Sequence, residues 1–282
     1  MINYLKLIRI SNIKKNTVIF FPYIFSGTIL KPEFNDIFIL SITAVIFTLT
    51  TSLFYIINDI FDLEKDIKHP VKQNRPIASG QIQIKHALIF AALISILILF
   101  SLLFFDFIYE FKIYIFLYIL NNLAYNLFLK KWGVFIGSLS ISIGFLLRLY
   151  LGSAVMYIQV KSWLVLFVFF STFFLSILKK LSDDIQSPEE EISKKIKLVT
   201  NSLIIIMTGL YLTHIYLYLN GANFLLVTIN VFIYFQILLL VQRYFKHSTG
   251  PKDPVEIFKV NKNSIYFLIW LISYLYLRYF SL

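Results

Sequence analysis

The chain is 282 residues long, 59% apolar and 18% aromatic, with only 15% charged residues and a formal net charge of +11 at pH 7. A soluble domain covers its surface with roughly 25% charged residues, so a water-soluble globule is excluded and bilayer lipid must contact most of the exterior. The lack of cysteine excludes disulfides, thiolate metal sites and a cysteine nucleophile, and the bases are scattered between apolar runs rather than gathered into a patch for nucleic acid.

The N-terminal stretch MINYLKLIRISNIKKN lacks the layout of a cleavable signal, because its bases precede a first span beginning near Val18. Apolar runs of about 20 residues cross a bilayer as helices. Nine are predicted, at 17–30, 37–57, 86–105, 112–130, 134–155, 162–180, 197–219, 222–242 and 263–281. The expected fold is therefore all-α, a polytopic membrane protein, with 1–282 forming one intramembrane domain. Lys and Arg accumulate on the cytoplasmic side. With the N-terminus inside, the inner gaps hold 21 of them and the outer positions 4, namely Lys31, Lys112, Lys161 and Arg278. This predicts a cytoplasmic N-terminus, an external C-terminus and three long polar loops facing the cytoplasm, at 58–85, 180–196 and 243–262.

The second span runs directly into NDIFDLEKDIKHPVKQNRPIASG. Asn58, Asp59, Asp62 and Asp66 recur every three or four residues and share one face if the helix continues. Three carboxylates on one stripe repel each other without a cation. Hard oxygen ligands fit Mg²⁺, with Mn²⁺ as an alternative, bridging carboxylates to substrate phosphates. Pro70 then breaks the helix, and Lys72 and Arg75 follow on a turning loop, suited to a diphosphate or a phosphorylated sugar. The bland reading, a solvated loop at a membrane boundary, is disfavoured by the regular spacing and by the position at the end of a span.

Farther along, Arg148 lies in mid-span, where a charge is costly unless it meets a wet cavity or a partner. Lys179 and Lys180 end the sixth span. In SDDIQSPEEE, Asp183 and Asp184 have no acid four residues on, so a second D-x-x-x-D motif is absent and the glutamate run reads as solvated loop. His69, His86, His214 and His247 are scattered and read as packing or interfacial residues. The Phe and Tyr content reads as lipid contact and interfacial belt.

NDIFDLEKD resembles the first aspartate motif, N-D-x-x-D-x-x-x-D, of the UbiA-type intramembrane prenyltransferases. DIKHPVKQNRPIASG, YNLFLKKWGVFIG, GFLLRLYLGSAV and GPKDPVEIFKVNKN, in that order, resemble one branch, the decaprenyl-phosphate phosphoribosyltransferases. The resemblance implies nine helices around a central cavity. It also implies Mg²⁺-dependent transfer of 5-phosphoribose from phosphoribosyl diphosphate to a polyprenyl phosphate for cell-envelope synthesis in a bacterial inner membrane. It makes Asn58, Asp59, Asp62 and Asp66 the metal–diphosphate motif, with Asp59, Asp62 and Asp66 catalytic. Lys72, Arg75, Arg148, Lys179 and Lys180 become substrate-binding. Two positions depart from the pattern: Gly137 stands where an acid is expected, and Asn261 stands for an aspartate. The rivals are a quinone-precursor prenyltransferase of the same fold and a non-catalytic carrier of polyprenyl lipids. The absent second motif and the HPVKQNRP loop count against the first, and the intact metal motif against the second. Homo-oligomerisation is left open.

Overall fold

The computed structural model describes residues 2–104, 109–182, 189–218, 224–246 and 261–281. Described residues form helices and turns, with no strand among them. Residues 183–188 of the SDDIQSPEEE segment, His247 and the late loop over 248–260 lie outside the described residues. The side chain of Asn261 does so too. The α-helices are α1 (Ile2–Leu7), α2 (Phe21–Ser26), α3 (Phe34–Phe61), α4 (Leu63–Lys68), α5 (Ile84–Phe104), α6 (Tyr109–Leu127), α7 (Val134–Val155), α8 (Ser162–Ser182), α9 (Glu189–Tyr218), α10 (Phe224–Lys246) and α11 (Asn261–Ser281).

Six of these are long and apolar enough to cross a membrane, within α3, α5, α7, α8, α9 and α10, and Ile265–Tyr279 of α11 is a shorter apolar helix. The chain is a multi-pass membrane protein. Three of the nine predicted spans fall short of that measure among the described residues. The first predicted span is not one helix: 3₁₀ turns over Ile10–Phe20 and Thr28–Leu30 flank the six residues of α2. Pro22 withholds a backbone donor there, and Gly27 turns left-handed at φ 90°. Helix α6 is diluted by Glu110, Lys112, Asn121, Asn122 and Asn126. The glutamate run is also corrected, because α9 starts at Glu189, well before the predicted span. Its first turns are helical where loop was expected, with Lys195 paired to Glu191 at 2.6 Å in the i,i+4 register that supports a helix.

The chain divides into two compact units. The first comprises Met1–Pro22, Glu33–Leu129 and Leu147–Gln159. Its core joins Leu7 of α1, Ile56 of α3, Ile77 and Ile82 of the loop, and Ala87, Ala91, Ile94 and Ile98 of α5. The opposite face of α5 leaves Leu93, Ile96, Leu99 and Leu103 exposed, as expected of a helix apolar all round that meets lipid. Gly152 of α7 lies so close to the backbone of Ile19 that any Cβ would strike its carbonyl.

The second unit comprises Tyr23–Pro32, Lys130–Leu146 and Val160–Leu282. Helices α8, α9, α10 and α11 pack around Leu203, Met207, Tyr211, Tyr234, Leu238 and Trp270. Apolar contact gains little in lipid, so interhelical hydrogen bonds and close packing take a larger share. Asn230 of α10 donates to the Trp270 carbonyl at 3.0 Å and accepts from the Tyr211 hydroxyl, which in turn accepts from Trp270 Nε1 at 3.0 Å. His214 is a packing residue here, stacked on Trp163 at 3.6 Å and bonded to the Tyr274 hydroxyl at 3.0 Å.

Candidate active site

The site lies in the first unit, at the end of α3. One face of that helix carries Phe47, Thr51, Phe54, Tyr55, Asn58 and Asp62 at intervals of three and four. The helix breaks for a single residue at Asp62, φ −94° and ψ 5°, and resumes as α4. The backbone ladder survives the break. Asp62 N–H donates to the Asn58 carbonyl at 2.9 Å, and Asp66 N–H to the Asp62 carbonyl at 2.8 Å. The four motif residues therefore keep nearly helical spacing, although not on one uninterrupted helix as expected.

Asp59 and Asp66 are 2% and 4% exposed. Carboxylates are not buried as anions without partners, and both meet Arg75. Its Nη1 donates to Asp59 Oδ1 at 3.1 Å and to Asp66 Oδ2 at 2.5 Å. Arg9 also donates to Asp59 Oδ1, and its guanidinium lies over the Tyr55 ring at 4.8 Å. Two guanidiniums thus converge on two carboxylates. Asn58 and Asp62 are half-buried beside them.

The loop that supplies Arg75 is built to hold it. His69 follows α4, and its Nδ1 accepts from the N–H groups of Val71 and Lys72 at 3.2 and 3.3 Å, so this histidine caps a turn. The Arg75 carbonyl accepts from both the N–H and the hydroxyl of Ser79, each at 2.8 Å. Ile82 N–H closes onto the Pro76 carbonyl at 2.9 Å, while Ile77 and Ile82 plug into the core. Lys72 lies half-buried in the 3₁₀ turn just before Arg75.

Arg9 was not singled out in the sequence. It sits among N-terminal bases whose only visible role there is topological. Its place at the site depends on a left-handed backbone, φ 52°, uncommon for a residue with a Cβ, and on contacts fifty residues away in the chain. No local pattern signals either.

Arg148 is 5% exposed. Its Nε donates to Asn16 Oδ1 at 3.0 Å and its Nη2 to the Tyr118 hydroxyl at 3.1 Å, and it lies 5.0 Å from the Phe47 and Tyr118 ring centroids. Asn16 is tied in turn to Thr48 and Thr51 of α3, at 3.0 and 3.4 Å. Phe47 is about 18 Å along the α3 axis from Asp59 at 1.5 Å per residue, so Arg148 stands over a deeper stretch of the same helix than the carboxylates do. Lys179 and Lys180, in the last turn of α8, belong to the second unit and are half-buried.

Among the described residues, no three His, Asp or Glu side chains come together as a ready-made metal cage. The donor set nonetheless fits Mg²⁺, which binds through one or two carboxylates and completes its shell with water and substrate phosphates. Asp59 and Asp66 are two such carboxylates, already brought to one point by Arg75.

An all-helical membrane protein with an aspartate motif of this kind falls within a known class, and the chain belongs to the UbiA prenyltransferase family, whose model matches residues 19–272. Among curated relatives it is similar to the decaprenyl-phosphate phosphoribosyltransferase of Mycolicibacterium smegmatis, 30% identical over 172 residues, 61% of this chain and 53% of that protein. The enzyme of the same name from Corynebacterium glutamicum is 33% identical over 144 residues, 51% of this chain and 43% of that protein. The chain spans about half the length of these relatives. Two solved structures share the fold along nearly the whole chain. A UbiA homolog from Archaeoglobus fulgidus bound to GPP and Mg²⁺ has a TM-score of 0.61 at 13% identity, covering 98% of this chain and 99% of that one. A digeranylgeranylglyceryl phosphate synthase has 0.59 at 21%, covering 97% and 96%.

Proposed function

We propose that this protein is a membrane-bound pentosyltransferase that moves 5-phosphoribose from phosphoribosyl diphosphate to a polyprenyl phosphate and releases diphosphate. The observation that carries this reading is the meeting of Asp59, Asp66, Arg75 and Arg9 at the end of α3, in a chain whose curated relatives bear that activity's name. The whole chain works as one transferase domain in a bacterial inner membrane, with nine passages, the N-terminus and the site on the cytoplasmic side.

Asp59, Asp62 and Asp66, with Asn58, would hold Mg²⁺, or Mn²⁺ in its place. When bound there, the ion neutralises charge on the leaving diphosphate. Arg75 and Arg9 present N–H groups from the same point and, with Lys72, stabilise the oxygens on which negative charge grows as the bond from the anomeric carbon breaks. An oxygen of the acceptor phosphate forms the new bond to that carbon, and diphosphate leaves with the electron pair. The acceptor is already anionic at neutral pH, so the step requires no general base. Lys72, Arg75, Lys179 and Lys180 carry more positive charge than the diphosphate and its ion require, and some of them are assigned to the 5-phosphate of the donor. Arg148, buried against Asn16 and Tyr118 deeper along α3, is assigned to orient the acceptor phosphate or the donor beside it.

The test incubates membranes containing the protein with phosphoribosyl diphosphate, Mg²⁺ and undecaprenyl phosphate. A phosphoribosylated lipid in the mass spectrum is the expected product. Faster product formation from geranyl diphosphate and a hydroxybenzoate would favour the quinone-type rival, and no turnover with either pair would favour a lipid carrier.

A further inference from the structure

We propose that Gly137 is a positioning residue, whose missing side chain forms the niche that holds the Lys180 ammonium. Helices α7 and α8 close on small residues in the second unit. Ser138 is fully buried, and Ser176 donates to its hydroxyl at 3.1 Å. Lys180 lies one turn beyond Ser176 on α8 and therefore faces the same side. Its Nζ occupies the place where a Cβ on Gly137 would stand, with Lys180 Cε 3.6 Å and Lys130 Cα 3.5 Å from that point. Any side chain at 137 evicts the amine.

The obstacle is the tip of a flexible lysine, so alanine at 137 displaces the ammonium and leaves the helix packing in place. Gly152 is the contrasting case, since its obstacle is a backbone carbonyl. Gly137 thus acts on the substrate only through where Lys180 points, and this inference rests on the assignment of Lys180 to a substrate phosphate.

The test is a double-mutant cycle of wild type, Gly137→Ala, Lys180→Gln and the double variant, with two readouts. The first is the labelling rate of the Lys180 amine by an acylating reagent, followed by peptide mass spectrometry, which needs no substrate. Gly137→Ala should raise it severalfold, and an unchanged rate overturns the niche. The second is kinetics. Gly137→Ala should raise the KM for phosphoribosyl diphosphate about fivefold, the scale of one weakened charge contact, leave kcat near wild type, and add nothing once Lys180 is Gln. An equal effect in the Lys180→Gln background would show that Gly137 acts by another route and overturn the proposal. If instead Lys180→Gln leaves KM unaltered, the substrate assignment of Lys180 fails while the labelling result still decides the niche.

Discussion

Asp59 keeps a carboxylate in a nearly dry position because two guanidiniums face it, and removing either partner has a defined consequence. Arg75 bridges both carboxylates, so Arg75→Ala should raise the donor KM at least about tenfold, since a charge-assisted contact contributes about 1.5–3 kcal/mol. Arg9→Gln leaves Asp59 with Arg75 and should cost less; steady-state kinetics with varied donor would rank the two. Turnover should vanish in EDTA and return with Mg²⁺ or Mn²⁺, and Asp62→Asn should abolish activity in a protein that still folds; full activity in EDTA would refute the metal assignment. Arg148 belongs to a different kind of site. It is buried against Asn16, Tyr118 and Phe47, so Arg148→Leu strips hydrogen bonds from buried polar groups as well as removing a charge. A loss of about 2–4 kcal/mol in stability should follow, seen as a clear fall in Tm. An unchanged Tm would return Arg148 to a purely substrate-facing role.

At the level of elements, the loop between α4 and α5 is held by hydrogen bonds of its own and by two side chains in the core. Ser79 fastens the Arg75 carbonyl and Ile77 anchors the chain in the core of the first unit. Ile77→Ala should therefore cost about 2–4 kcal/mol by opening a cavity and should also raise the donor KM, because Arg75 loses its anchor two residues away. A variant with lowered Tm and wild-type KM would show that the loop does not position Arg75. The approach of α7 to the Ile10–Phe20 segment gives the sharper case. A methyl group at 152 meets the Ile19 carbonyl, which has nowhere flexible to retreat. Gly152→Ala should lower Tm far more than Gly137→Ala does, as thermal unfolding in detergent would show.

For the whole molecule, the distribution of Lys and Arg predicts an orientation, and the cysteine-free chain makes it easy to test. Ser79 and Lys31 are both exposed, at positions assigned to opposite sides of the membrane. A single cysteine at Ser79 should react with a membrane-impermeant maleimide only after cells are opened, whereas one at Lys31 should react in intact cells. The reverse pattern would invert the topology.

Hydropathy and residue spacing along the sequence determined that the chain is a helical membrane protein, six of the runs that are apolar enough to cross, and where the aspartates lie. Each of these depends on neighbours within a few turns, and lipid leaves the backbone little choice but helix. The broken segment at Pro22 and Gly27 was harder to read because hydropathy sums side chains and is blind to backbone donors and φ. Only the tertiary structure decided that Arg9 joins Arg75 on Asp59, that Arg148 is bound by Asn16 and Tyr118 three turns along α3 from the carboxylates, and that Gly137 makes room for Lys180. These are meetings of residues from about 15 to more than 130 positions apart, fixed by how helices and loops pack, which no window on the sequence contains.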